Sequence, residues 1–587
     1  VSYSYPYPSS TEVSAKTTIG VRSGEALLKS VLQASSFTVI GTSSGKHTGK
    51  IVLALDGRTV IFTPDKIFSP GERVLVIVNP LKCVSGKYTT IWSMVFYISK
   101  IKILPNSREI HDPSLAKNML ADAVHPALPL LSSDSVYDDF PAIHVTTINN
   151  PSPGNLYLDN LSAHNDSGAY IMILDNNGNR IFGRSMWGAF AQDFKPQPNG
   201  QYTYFDADIY KFKFYGLDSK FNVIDSFEAA NGYTTDSHEL IFLPGGGYAL
   251  LAQTDELVDM SKYVPGADTS MLVIEGIIQE FDAAKNLIFE WRTRDHFAFS
   301  DPTYENFAFS ILDFTHCNSI EYDPVDTTFI LSSRNLDEVT KIDLEDGSIV
   351  WRWGGKHNQF TFVNDSLIFS HQHSVRLLPN RNIIMFDNGT FHPTAMPFSR
   401  AVEYHLDEDA KIATKVWEYH HNPDVFGSLM GYVQELANGN RLIDWGACDS
   451  VAITEVKPDG TTAFELRFDP GIWSYRAFKY TPEEIKAMQS QLAVPVAPVA
   501  QGISLDQNFP NPCNSSSVIS FRTEDRSQIT LDVYDALGRK VKNLFDGVVD
   551  AGNYSAKFDA GNLPNGSYFY TLLTPRTSVT KMMVVAK

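Results

Sequence analysis

At 587 residues the chain is too long for one ordinary domain, and length alone divides it into two to four. Hydrophobic residues at 43% and aromatics at 12% suffice for sizeable cores, while a net charge of −19 argues against nucleic acid or an anionic membrane as the main partner. A bound anion must then be held by a local cationic pocket. No apolar run reaches the roughly 18 residues of a membrane span, so none is predicted. The opening VSYSYPYPSS has no basic start and no apolar h-region, which fits a cytosolic chain or a mature chain whose signal has been removed. Cys83, Cys317, Cys448 and Cys513 are too widely spaced for a disulfide framework or a CxxC zinc site. Free buried thiols are expected, with a Cys317–Cys448 bridge as the alternative.

Residues 17–105 read as short strands: FTVIG, KIVLALDG, TVIFTP, RVLVIVNP and TIWSMVFYIS, separated by turns such as LDGRT and FSPGER. This is the pattern of a small β-sandwich. The stretch SGKHTGKIVLALDGRTVIFTPDKIFSPGERVLVIV resembles bacterial Ig-like modules of surface proteins, and this first module is placed at 1–105. Residues 106–150, rich in Pro, Ser, Asp and Asn, are read as a connector with a short helix near Pro113–Ala123.

From about 151 to 475 a unit recurs loosely, in a region placed at 151–480. Strand pairs carry D-x-x-G-type turns, as in LDNNGNRIFGRSM, FDAAKNLIFEWRT, IDLEDGSIVWRWGG and VKPDGTTAFELRF. Other units begin with a polar residue: HELIFLPGGGYALLA, HSVRLLPNRNIIMFDNG and VQELANGNRLIDWG. His238, His316, His373 and Gln434 open such units at spacings of 78, 57 and 61. Hairpin repeats of this size predict an all-β fold, a six-bladed β-propeller flanked by N-terminal and C-terminal Ig-like sandwiches. In a propeller, residues at the same strand end of different blades converge near the axis, so His238, His316 and His373 are expected to meet. TPEEIKAMQSQLAV reads as a short helix with Thr481 as N-cap and Glu484 completing a capping box. With the Pro/Ala linker VPVAPVAQG it fills 481–502.

The third module, 503–587, runs SLDQNFPNPCNSSSVISFRTEDRSQITLDVYDALGRKVKNL…GNYSAKFDAGNLPNGSYFYTLL. It resembles the type A C-terminal sorting domain of type IX secretion, with Cys513 where that family usually has an aromatic and Ser515 and Ser516 where proline is common. The resemblance implies a seven-strand sandwich with Tyr534 and Tyr568 as core or edge aromatics. It also implies a chain secreted or carried to the cell surface through the outer membrane, with the type IX machinery as partner.

The polar clusters of the central region are THCNSIEYD (His316, Asn318), LSSRNLDEVTKID (Arg334) and HQHSVRLLPNRNIIMFDNG (His371, His373, Asp387, Asn388). With DSHELIFLPGGG (His238) and DLEDGSIVWRWGG, they make the region resemble the bacterial arylsulfate sulfotransferases over about 220–455. The resemblance implies nucleotide-independent transfer of a sulfuryl group from an aryl sulfate to a phenol. In that scheme His373 is the nucleophile, His316 and His238 donate hydrogen bonds or protonate the leaving phenolate, and Arg334 binds the sulfuryl oxygens. Asn318 and His371 are assigned to substrate binding. No cofactor is called for, and no P-loop or GxGxxG follows a strand. The residue types suit this chemistry, since neutral imidazole is a nucleophile near pH 7 and guanidinium is a planar cationic fork. A homodimer is compatible with the family.

Each residue also has a plainer reading. His238 alone reads as a turn or core histidine, His316 with Asn318 as a blade-end hydrogen-bonding pair, and Arg334 as a surface partner of Asp337 or Glu338. His371 and His373, two apart, are expected on one strand face, which is also metal-ligand spacing. Zinc could add His238 or His316, although Arg334 at the centre would repel a cation. His392, His420 and His421 read as exposed loop residues, Trp351, Trp353, Trp417 and Trp445 as inter-blade packing, and Lys341 and Arg352 as solvated charges. Two other functions stay open: a non-catalytic surface propeller binding glycans or proteins, and a metal-dependent lyase or hydrolase.

Overall fold

Each D-x-x-G turn is built around one carboxylate that accepts backbone N–H groups. The protein is represented here by a computed structural model that describes residues 1–100, 139–162, 168–186, 190–207, 212–307, 309–492, 503–505, 508, 510–511, 513–523, 526–535, 539–561, 563–574 and 578–586. Asp175 Oδ1 accepts from the N–H groups of Asn177 and Asn179 at 2.7 and 2.8 Å, and Asp282 Oδ1 from those of Ala284 and Asn286, both at 2.9 Å. Asp343 and Asp459 repeat the contact once each. Asp218 makes the same turn in LDSKFNVID, which has no glycine. An Asp side chain that closes its own turn tells a strand where to reverse, and so writes a hairpin repeat into the sequence.

These hairpins form six sheets, antiparallel except where Ile311–Asp313 and Thr361–Val363 add in parallel, each led by one strand. In chain order the leading strands are β1 (Ala191–Pro196), β2 (Thr234–Phe242), β3 (Cys317–Asp323), β4 (His373–Leu377), β5 (Tyr432–Glu435) and β6 (Ala477–Tyr480). Behind β1, β2 and β3 the following strands add in sequence order; behind β4, Ile383–Asp387, Arg400–Asp407 and Ile412–Tyr419 do the same. The sheet of β5 ends on His144–Ile148, from the start of the region, while β6 leads Asn155–Ser162, Tyr170–Leu174 and Arg180–Ser185. Both ends of the region are thus sewn into neighbouring sheets.

The cores between the sheets are shared in a cycle. Tyr157 and Ile171 pack with Phe194 and Leu217 of the next sheet, and Ile330 and Trp351 pack with Ile383 and Tyr404. Ile384 and Phe386 pack with Ile443 and Trp445, and Leu442 and Phe464 pack back onto Leu156 and Tyr170 of the sheet led by β6. Trp351, Trp353 and Trp445 are fully buried in these interfaces; Trp417 lies at an edge beneath the Arg441 guanidinium. The expected connector helix at Pro113–Ala123 and the Pro/Ala linker lie outside the described residues.

The N-terminal region forms two four-stranded sheets over one apolar core that includes Ile19, Val39, Val60, Phe62, Val76 and Phe96. The opening segment, unassigned from sequence, contributes the strand Tyr3–Tyr5. Its buried tyrosines grip the outer strand of the β2 sheet: Tyr3 stacks on Phe289 with ring centroids 4.7 Å apart, and Tyr5 Oη donates to Leu287 O at 2.5 Å. Leu55 N donates to Asp282 Oδ2 at 3.0 Å, so one turn carboxylate of the repeat also binds the N-terminal sheets.

The helix Pro482–Leu492 begins at the expected capping box, with Glu484 N donating to Thr481 Oγ1 at 3.1 Å and Thr481 N to Glu484 Oε2 at 2.7 Å. Residues Val1–Leu492 make one compact unit and Ala493–Lys587 a second. The second unit holds a three-stranded and a four-stranded sheet around Ile519, Phe521, Leu531, Phe558, Tyr570 and Met583. Tyr568 is buried in this core and Tyr534 half-buried, while Cys513 fills a core position. All four cysteines are buried, and Cys317 and Cys448 are not bridged. No described helix is long and apolar enough to cross a membrane.

Candidate active site

Three imidazoles meet where β2, β3 and β4 adjoin. His238 lies within β2, where its register against the next strand shifts. His316 immediately precedes β3 with φ +47°, a left-handed residue that turns its ring inward. His373 is the first residue of β4. The His238 and His316 rings lie 4.9 Å apart and the His316 and His373 rings 5.9 Å apart, each pair edge to face. The expected convergence of these three is therefore present.

The rings differ in what holds Nδ1. His238 Nδ1 faces Asp236 Oδ1 at 2.6 Å, and His316 Nδ1 faces Asp313 Oδ2 at 2.6 Å. His371 Nδ1 faces Asp337 Oδ1 at 2.9 Å. His373 Nδ1 instead faces the amide oxygen of Asn388 at 2.7 Å. Burial pushes the His373 pKa well below the usual histidine value, aided by neighbouring His316 and Arg334. Burial also lowers His316 and His371, against the pull of Asp313 and Asp337. For Asp236 burial acts upward, but His238 and His316 hold it below the ordinary carboxylate value.

The expectation that His371 and His373 share a strand face is corrected. Strand β4 begins only at His373, and both His371 (φ +56°) and Ser374 (φ +57°) are left-handed, so the two-residue alternation of a strand does not apply. The His371 ring packs instead against Phe391 at 4.8 Å and Tyr304 at 6.1 Å, two partly exposed aromatics stacked 3.9 Å apart.

Asn318 brackets the His373 backbone: Nδ2 donates to Gln372 O at 2.8 Å and Oδ1 accepts from Ser374 N at 3.3 Å. Gln372 is buried beside it, with Nε2 donating to Ser332 Oγ at 3.1 Å and to Glu338 O at 3.1 Å. Arg334 opens a short 3-10 turn, its N–H donating to His316 O at 3.1 Å and Nη1 to Asn335 Oδ1 at 2.8 Å. Its guanidinium is near enough to depress the pKa values of His316, His371 and His373. The side chain thus has Asn335 among its partners, where Asp337 or Glu338 was anticipated.

Next to the histidines lies a buried charge network that the sequence reading missed. Arg476 Nε donates to Ser374 Oγ at 2.9 Å and Nη2 to Asn318 O at 2.7 Å, while Nη1 reaches Asp193 at 2.9 Å and Glu239 at 3.1 Å. Glu239 also takes Lys195 and Arg376, each at 2.5 Å. Burial works against its charge, yet Arg376, Arg476 and Lys195 draw its pKa down to about 2. Nothing local marks Arg476 in IWSYRAFKY; only the position of the following strand, β6, brings it to the centre.

Several peripheral readings change. Lys341 is buried, with Nζ on Asp326 and Glu408 at 2.6 and 2.9 Å, and Arg352 is paired with Glu338 and Asp301 at 2.7 and 3.0 Å; neither is a solvated charge. His392 is buried, Nε2 lying 2.8 Å from Ile368 O, because the turn after Asn388 folds it inward. In that turn Gly389 takes φ +68°, and a Cβ there would come 2.2 Å from Phe398 O. His420 is exposed, and His421 is half-buried against Glu465. Among the described residues, no group of three or more His, Cys, Asp or Glu is arranged to hold a metal ion.

The family model described as arylsulfotransferase (ASST) matches residues 139–476, more than half of the chain, and a secretion system C-terminal sorting domain matches 507–586. No curated protein matches the chain. Among solved structures, it is similar to an auxiliary nutrient binding protein from Bacteroides ovatus at 11% identity, covering 79% of this chain and 84% of that one, TM-score 0.27. A Lactobacillus plantarum protein matches at 9% identity over 69% of this chain and 100% of that one, TM-score 0.31. PorZ of Porphyromonas gingivalis, a surface component of the type IX secretion system, matches at 9% identity over 99% of each, TM-score 0.18. At these scores none of the three carries an argument about this chain.

Proposed function

Because the chain belongs to the arylsulfotransferase (ASST) family, we propose that it transfers a sulfuryl group from an aryl sulfate to a phenol, without a nucleotide donor, through a sulfohistidine at His373. Its C-terminal sorting domain marks it for export to the cell surface or the medium through the type IX secretion machinery. We read the six cyclically packed sheets as a six-bladed β-propeller at 151–480. An Ig-like sandwich precedes it at 1–105, with the connector at 106–150. The helix and linker at 481–502 lead to the sorting domain at 503–587.

The observation that carries the reading is the meeting of His238, His316 and His373 beside Arg334. His373 Nε2 attacks sulfur and forms the N–S bond as the S–O(aryl) bond breaks, its electron pair passing to the phenolate oxygen. His316 or His238, each held by a carboxylate, gives that oxygen a proton. The acceptor phenol then attacks sulfur, its proton returns to the same histidine, and the N–S electron pair goes back to Nε2. Arg334 balances the sulfuryl charge through both steps. Asn318, with its amide engaged by the backbone on both sides of His373, acts by holding the nucleophile in place, and His371 with Tyr304 and Phe391 borders the site.

The test is release of p-nitrophenolate from p-nitrophenyl sulfate by the full chain, with and without phenol and with and without a chelator. Phenol-dependent, chelator-insensitive release and a sulfuryl adduct on His373 are expected. Chelator-sensitive release would move the reading to a metal-dependent enzyme, and no release with any acceptor to a binding propeller.

A further inference from the structure

We infer that Asn388 is a positioning residue that fixes His373 as a neutral imidazole with its lone pair on Nε2; this rests on the sulfuryl-transfer reading above. The amide has only one way round. Asn388 Nδ2 donates to Gly427 O at 2.7 Å and lies 3.1 Å from Met430 O, two acceptors that cannot donate, so Oδ1 must be the atom facing His373. His373 Nδ1 thus lies between two acceptors, Asn388 Oδ1 at 2.7 Å and His371 O at 3.2 Å, and must carry the proton. The lone pair is left on Nε2, and Nε2 becomes the nucleophile.

The other three histidines have a carboxylate where His373 has an amide. A carboxylate on Nδ1 favours the doubly protonated ring, a pull that burial outweighs at His316 and His371. It would spoil a nucleophile, because protonated Nε2 has no lone pair. The groups around His373 are arranged to the same end. Arg334, His316 and His238 all disfavour a second proton on it. The carboxylate next to Asn388 in sequence, Asp387, is occupied: Oδ1 accepts from Ser370 N at 2.9 Å and Gly389 N at 3.0 Å, and Oδ2 takes Arg400 Nε at 2.8 Å. Asp337 is committed to His371 and Thr303.

Two measurements test this. In the full chain labelled with 15N-histidine, with the His373 signals assigned by comparison with His373→Gln, Nδ1 should be protonated and Nε2 bare from about pH 6 to 8. An Nε2–H tautomer or an imidazolium in that range would overturn the inference. In Asn388→Asp, turnover of p-nitrophenyl sulfate at pH 7 should fall by about 10-fold or more and recover as the pH is raised. In Asn388→Ala it should fall without recovery. Equal, pH-independent losses in both would make Asn388 a merely structural residue and sink the proposal. A wild-type chain that turns over no aryl sulfate yet shows the Nδ1–H tautomer would instead overturn the sulfuryl-transfer reading alone.

Discussion

His238 and Glu239 are neighbours on β2 and belong to different chemical worlds. Glu239 is saturated, with three cations on one carboxylate and none of its side chain exposed. His238 is held at Nδ1 by Asp236 and meets the His316 ring. Glu239 stands for the whole Arg476 network, in which nearly every charge meets its opposite, and His238 for the cluster in which each imidazole has one nitrogen tied and one to spare. The two regions touch through Asn318 and Ser374. A saturated network makes a rigid frame, and reactivity belongs to groups left half-satisfied on that frame.

The largest effect separates the two regions outright. His373→Ala should take transfer below detection while costing only the order of one hydrogen bond, about 1 kcal/mol, in urea unfolding; retained turnover would end its role as nucleophile. Glu239→Gln, nearly isosteric, should do the reverse. It leaves Lys195, Arg376 and Arg476 short of a buried counter-charge, and a loss of about 3–5 kcal/mol in the same unfolding assay is expected. A change within about 1 kcal/mol would mean that the network is not the frame.

A smaller effect sharpens the contrast through pH. The folded His373 pKa lies below its unfolded value of about 6.5, so the unfolded chain binds the extra proton first. Its contribution is fully present above about pH 6.5 and is lost as pH falls. Burial raises Asp444 and Glu321 to about 7, and these act in the opposite direction between pH 7 and 5, so the wild-type slope mixes the two. The difference isolates the histidine. Relative to wild type, His373→Gln should gain up to about 1.4 kcal/mol for each pH unit below 6.5, read from urea midpoints. A difference independent of pH would mean that His373 is not held neutral.

What could be read from the sequence was what is local. The Asp turns close within four residues, so the repeat was visible and with it the hairpins and the converging histidines. The capping box at Thr481 is equally self-contained. What escaped depends on distance along the chain. Arg476 meets Asp193 across 283 residues and Glu239 across 237. Lys341 and Arg352 looked solvated because Glu408 and Asp301, their partners, come from other segments. Tyr3 and Tyr5 sit in a segment with no strand signal and are defined by the sheet they grip. The error at His371 was of another kind: a rule for strands was applied where His371 itself, and Ser374 beside His373, are left-handed.

The topology also sets an order in time. Strand β6 is the last of the region in sequence, yet it leads the sheet begun by Asn155–Ser162, and Tyr475 and Arg476 arrive just ahead of it. Everything that precedes them in synthesis carries all three imidazoles but lacks the guanidinium that joins Asn318 to Ser374. A chain stopped short of β6 therefore holds the three imidazoles without the side chain that ties Asn318 to Ser374, so the frame around them closes last.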